Sequence, residues 1–167
     1  MKNMKNIIAV ISALLICVTV LAGCGSDPVQ EDLINYINNQ LPEIAALEKK
    51  VTSEYEAIKT DSNADDAAFA AKLKDVIIPA SAELIAKAKA TVPATEEVKK
   101  VHDKYIAAAT VQSEAFDILL DAAEKSDGDI AKTGTEKLNE AEKISTEYLA
   151  DIETLKKDHD VETIESK

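Results

Sequence analysis

The chain has 167 residues, and its 31 acidic side chains outnumber the 19 basic ones to give a formal net charge of −12. All 19 basic residues are lysines, so the arginine fork that clamps phosphate or carboxylate ligands is absent. Such an acidic surface repels nucleic acid and anionic lipid headgroups, which excludes both as electrostatic partners. Tryptophan is absent, and glycine, proline and aromatic residues are few, which predicts an all-α fold.

The beginning of the chain is typical of secretion. Lys2 and Lys5 precede a run of 16 mostly apolar residues at 7–22, and residues 1–6 carry no acid. A membrane-spanning helix needs about 20 apolar residues to cross the hydrocarbon layer. The short run therefore favours a cleaved signal peptide over a permanent transmembrane anchor.

Leu21-Ala22-Gly23-Cys24 closes this apolar run. The four residues resemble the lipobox of bacterial lipoproteins, in which a leucine and two small residues precede an invariant cysteine. The resemblance implies that residues 1–23 are removed and that Cys24 becomes the lipidated, N-acylated first residue. A thiol is a strong nucleophile near neutral pH, so it can take a diacylglyceryl group as a thioether. The alternatives are an ordinary signal peptide with an incidental cysteine, and an uncleaved anchor.

The same resemblance implies a location. Two acyl chains hold a protein stably at a membrane, whereas one binds only marginally. We therefore expect a lipid-anchored protein on the extracytoplasmic face of the cell membrane, similar to the small, acidic helical lipoproteins of Gram-positive bacteria. In a Gram-negative host, Gly25 in place of aspartate implies the outer membrane.

Cleavage would leave a mature chain of 144 residues with a net charge of −14, which is the size of a single domain. Cys17 would leave with the signal peptide, and Cys24 would be alkylated. No disulfide, thiolate metal site or cysteine nucleophile could then form.

Beyond a short tether at 24–27, apolar residues recur at spacings of three and four along four stretches. This period predicts amphipathic helices, at about 28–59, 64–91, 95–125 and 129–159. Short connections favour an antiparallel up-down-up-down four-helix bundle. The alternative is a three-helix arrangement in which the first helix is broken at Pro42, because proline interrupts a helix. Pro79 also falls inside a helix, Glu48 takes a position on the apolar seam, and residues 160–167 are expected to fray.

Two sets of residues are candidates for chemistry near the lipid end of such a bundle. His102 and His159 could approach each other in a surface metal site, or could simply be two solvated histidines on an acidic surface. Tyr36, Tyr105 and Tyr148 could form a ligand-contact cluster, or could be core residues whose hydroxyl groups reach the surface.

A belt of small residues lies at one level of the predicted bundle and includes Ser81 and Ser145. It could allow close helix packing, or it could leave a ligand cavity with Gln112 as its polar group. Close packing is favoured because protein interiors seldom contain voids.

The sequence contains no Gly-rich phosphate loop and no Gly-x-Ser-x-Gly nucleophile elbow, so we expect no enzymatic activity and no cofactor. The first functional hypothesis is a non-enzymatic interaction module that binds an envelope protein or component through a helix face. The alternative is a carrier or sensor that holds a small ligand or metal in the bundle. A hydrolase that uses His102 or His159 is a third hypothesis. The oligomeric state is left open.

Overall fold

The computed structural model of the chain describes residues 17–20 and 27–164. Most of these residues are helical, which confirms the all-α prediction. The helices form four long segments at 28–60, 66–90, 96–125 and 128–158, which we call segments 1 to 4. Their elements are α1 (Pro28–Asn35), a π-helical turn (Tyr36–Gln40), α2 (Leu41–Thr60), α3 (Asp66–Lys72), a second π-helical turn (Leu73–Ile77), α4 (Ile78–Ala90), α5 (Glu96–Lys125) and α6 (Gly128–Asp158).

Two short strands form an antiparallel ribbon that joins the two ends of the described chain. Strand β1 (Cys17–Val20) pairs with β2 (Val161–Ile164), with Val20 opposite Val161 and Cys17 opposite Ile164. The expectation that residues 160–167 are frayed is therefore wrong for 161–164. The physical reason is burial, since the Val161 side chain is only 5% exposed and belongs to the apolar core.

Helix starts follow local capping chemistry. The Asp27 carboxylate accepts hydrogen bonds from the backbone N–H groups of Val29 and Gln30, and Pro28 occupies the first turn. Asp65 caps α3 in the same way, and so this helix begins at Asp66, two residues after the predicted start. Asp127 caps α6.

Each proline inside a long segment lies just after a π-helical turn. Pro42 follows the turn at Tyr36–Gln40, and Pro79 follows the turn at Leu73–Ile77. Proline lacks an N–H, and its ring clashes with the carbonyl four residues earlier. In both segments that earlier residue falls inside the widened turn, which relieves the clash. Pro42 therefore widens the first segment locally, and the helix continues to Thr60.

The core has two apolar clusters. One contains Leu33, Ile44 and Leu84, and the other contains Val51, Leu73 and Phe116. Segments 3 and 4 approach closely at Gly134, where an added Cβ would lie 2.7 Å from Leu119 Cγ. A residue with a Cβ at this position would force the Leu119 side chain to shift, so glycine permits the close approach.

Candidate functional site

A carboxylic acid is buried in the middle of the fold. The Glu48 side chain on α2 is fully buried, and its Oε2 accepts a hydrogen bond from the Tyr105 hydroxyl at 3.2 Å. Its Oε1 has no hydrogen-bond partner in the protein. Burial raises the pKa of Glu48 to about 9, and the bond from Tyr105 opposes only part of that rise. The carboxyl group is therefore protonated at neutral pH.

His102 on α5 is also buried, with 1% of its surface exposed. Its Nε2 lies 2.8 Å from the Ala88 carbonyl oxygen, which can only accept, so Nε2 carries a hydrogen and donates it. Its Nδ1 then accepts a hydrogen bond from the Tyr36 hydroxyl at 2.9 Å. Both ring nitrogens are thus used within the protein, and the picture of a solvated His102 is wrong.

The three tyrosines predicted to share one level do come together. The Tyr36 and His102 rings lie 5.4 Å apart, the His102 and Tyr105 rings 6.3 Å apart, and the Tyr105 and Tyr148 rings 5.4 Å apart. Burial raises the pKa of all three, that of Tyr148 to about 12. The hydroxyl groups of Tyr36 and Tyr105 bond inside the protein, to His102 and Glu48, instead of reaching the surface.

His159 lies at the end of segment 4 in a separate contact. Its Nδ1 is 2.6 Å from Asp27 Oδ2, and this hydrogen bond holds the pKa of the Asp27 carboxyl below its ordinary value. The structure does not place His102 in this contact. Within the described ranges, no group of three or more histidine, cysteine, aspartate or glutamate side chains could hold a metal ion. A metal site shared by His102 and His159 therefore has no structural support.

Ser81 and Ser145 of the predicted small-residue belt, and the predicted polar group Gln112, are all buried. Ser145 donates to the Ala141 carbonyl oxygen in its own helix at 2.9 Å. By contrast, Ser81 Oγ and Gln112 Oε1 have no hydrogen-bond partner in the protein. Because the smaller neighbours Ala80, Ala108 and Ala109 are buried as well, the belt combines small side chains with unsatisfied polar atoms.

The surface of the protein has grooves away from this belt. One of about 580 Å³ lies between the start of segment 2 and the end of segment 3, lined in part by Ala67, Ala71 and Ala123. An adjacent groove of about 260 Å³ is lined in part by Phe69 and Leu119. None of the candidate residues Ser81, Gln112 and Ser145 lines these grooves.

Two buried carboxyl side chains have roles that the sequence pattern does not predict. For Glu48, the pattern indicates only a charged residue on the apolar seam. Asp32, which is 5% exposed, accepts hydrogen bonds from Ala94 N, Thr95 N and Thr95 Oγ1 at 2.7–3.0 Å. It thereby caps α5 from another segment. The sequence does contain a signal for the burial of Asp32. The residue lies four positions before Tyr36, and so on the buried face of the first segment.

Four sequence-based candidates lie outside the described residues. They are Leu21, Ala22, Gly23 and Cys24 of the proposed lipobox. Across 17–20 and 27–164, no helix has the length and apolar character needed to cross a membrane. No protein-family model, curated protein or solved structure matches the chain.

Proposed function

We propose that this chain is a lipid-anchored extracytoplasmic protein whose helical domain is a non-enzymatic interaction module of the cell envelope. The observation that carries the proposal is the placement of Leu-Ala-Gly-Cys at 21–24, directly at the end of a 16-residue apolar run with lysines before it. In this proposal the Cys24 thiol is the group that accepts the lipid.

The site chemistry is consistent with a role that is not enzymatic. A catalytic histidine needs a nitrogen that can exchange a proton with a substrate. Both nitrogens of His102 bond to protein groups, and His159 Nδ1 bonds to Asp27. Neither histidine lies beside a serine nucleophile in the hydrogen bonds of the described residues. The hydrolase hypothesis therefore has little support.

The proposed architecture is an antiparallel up-down-up-down bundle. Cross-segment pairs support it because their residue numbers run in opposite directions: Glu43 pairs with Lys87, and Glu54 pairs with Lys72. Segments 3 and 4 show the same pattern, with Lys104 near Asp151 and Glu114 near Lys137. Such a bundle brings the beginning of segment 1 and the end of segment 4 to one end, beside the lipid.

The short distance between lipid and domain is part of this proposal. Only Gly25 and Ser26 separate Cys24 from the capping residue Asp27. Asp27 bonds to His159, and the Gln30 side-chain amide donates to the His159 carbonyl oxygen at 2.7 Å. The anchored end of the domain would therefore be fastened to its last helix close to the bilayer. Strand β1 would belong to the precursor alone, since residues 17–20 precede the cleavage point.

Mass spectrometry of the membrane-extracted protein tests the anchor. The wild-type chain is expected to have the mass of residues 24–167 plus diacylglycerol and one further acyl chain. The Cys24→Ser variant cannot form the thioether, and it is expected to keep residues 1–23 without added lipid.

Cys17→Ser is the matched control, because it removes the other cysteine from the same apolar run. Its product should be processed and lipidated as in the wild type. Recovery of wild-type protein with residues 1–23 attached and no lipid mass would overturn the proposal.

A second function, a carrier or sensor of a small ligand, is favoured by one observation. The core contains oxygens of Glu48, Ser81 and Gln112 that have no partner in the protein. A ligand that binds only the folded state raises its stability by about 2.7 kcal/mol at a concentration 100 times the Kd. Thermal unfolding with divalent metals and small apolar compounds is expected to reveal such a ligand, and an unchanged midpoint with all of them would rule these ligand classes out.

A further inference from the structure

We propose that the belt holds an internal water site, in which ordered water bridges Glu48 Oε1, Ser81 Oγ and Gln112 Oε1. This inference does not rest on the proposed interaction function, and it gives a different occupant for the three oxygens that favour the carrier function. The first reason is that the three atoms are buried and have no hydrogen-bond partner in the protein. Leaving a buried polar group unsatisfied costs about 1–3 kcal/mol, so native proteins pair such groups or hydrate them.

Flanking contacts place Glu48 opposite Ser81. The pairs Glu43–Lys87 and Glu54–Lys72 lie on either side of Glu48 along segments 1 and 2. Residues of segments 1 and 2 that lie midway between the two ion pairs are therefore at the same level of the fold. On segment 2, the residue that faces Glu48 falls close to Ser81, whose side chain is fully buried.

Similar contacts relate Gln112 on segment 3 to the stretch of segment 1 that begins at Glu48. The hydroxyl of Tyr105 bonds to Glu48, and the Phe116 ring lies 5.1 Å from the Tyr55 ring. Gln112 lies between Tyr105 and Phe116 on α5, one helical turn before Phe116, and thus faces the stretch of α2 between Glu48 and Tyr55. The three oxygens therefore come from three segments and face one region of the core.

The required ligand must both accept and donate hydrogen bonds. Glu48 is protonated at neutral pH, and Tyr105 already donates to its Oε2, so Oε1 is free to carry the proton and needs an acceptor. Gln112 Oε1 can only accept, so it needs a donor. Water meets both requirements, whereas an ammonium or metal ion cannot accept a hydrogen bond.

Small side chains surround the proposed site. Ala80, Ala108 and Ala109 are buried around the belt, where larger residues would fill the interior. A buried water occupies little volume and is stable where two to four polar partners are available. The belt meets this requirement with atoms of three different residues.

A crystal structure of the helical domain at a resolution that shows ordered water is the direct test. We expect a density peak within hydrogen-bond distance of at least two of the three oxygens. An empty position, with Glu48, Ser81 and Gln112 bonded directly to one another, would overturn the proposal.

The melting temperature of Ser81→Ala gives a second test. If water bridges Ser81, the variant loses a bond and should melt roughly 3 °C below the wild type. If Ser81 Oγ is simply unsatisfied, its removal relieves a cost, and an unchanged or raised melting temperature would overturn the proposal. Ser145→Ala is the matched control, because its buried hydroxyl bonds to a carbonyl oxygen, that of Ala141, which also accepts the backbone hydrogen bond of the helix, so its melting temperature should shift less.

Discussion

At pH 8 the Glu48→Gln variant is expected to be more stable than the wild-type domain, by on the order of 5 kcal/mol. In the folded protein the pKa of Glu48 is raised from 4.5 to about 9 by burial. Between these two values the folded state keeps a proton that the unfolded chain has released. Wild-type stability should therefore fall by about 1.4 kcal/mol for each pH unit across this window. Glutamine does not titrate, so the substitution removes this loss of stability with rising pH.

Urea unfolding followed by circular dichroism, from pH 4 to pH 9, measures the difference. At pH 4 Glu48 is protonated in both states, so the two proteins should be similarly stable, and the gap should widen as the pH rises. The surrounding Tyr36, Tyr105 and Tyr148 have pKa values raised by burial, and they stay protonated in this range. Glu147→Gln, at an exposed position of α6, is the control and should follow the wild type. Parallel curves for wild type and Glu48→Gln would contradict the prediction.

The helical segments follow from local chemistry that is visible in the sequence. Asp27 and Pro28 mark the first start, and Ser126 with Asp127 marks the turn before the last helix. Ser126 adopts the left-handed conformation, with φ of 49°. All eight segment ends lie within two residues of their predicted positions. Capping depends on residues adjacent in sequence, and these can be recognised without knowledge of the fold.

The effect of the prolines was harder to predict. The sequence indicates where a backbone hydrogen bond is lost, but several local rearrangements can absorb that loss. At Pro42 and Pro79 the chain forms a π-helical turn and continues. The choice between a break and a widened turn depends on packing beyond the proline itself.

The burial of His102 shows why the site was only partly predictable. A heptad pattern places Val98, Val101 and Tyr105 on the buried face, and it leaves His102 at the edge. A helix in a globular core buries a wider stripe, which includes the position four residues after Val98. His102 is therefore enclosed, with Tyr36 and Ala88 as its partners. The rotation of each helix about its own axis is a tertiary property, so these partners could not be identified from spacing alone.

Loss of the Asp32 carboxylate is expected to destabilise the domain by about 3 kcal/mol, since it leaves the N-terminus of α5 without its cap. Thr95 is the N-cap residue of α5, yet its own side chain caps no backbone N–H. Asp32 accepts from Ala94 N, Thr95 N and Thr95 Oγ1 instead, and so it also joins the first segment to the third. Asp32→Ala should lower the urea midpoint accordingly. Glu31→Ala removes the same charge from the adjacent exposed position and should have little effect. Equal midpoints for the two variants would show that the cap contributes nothing, and helix α5 would then owe its start to Glu96 and Glu97 in its first turn.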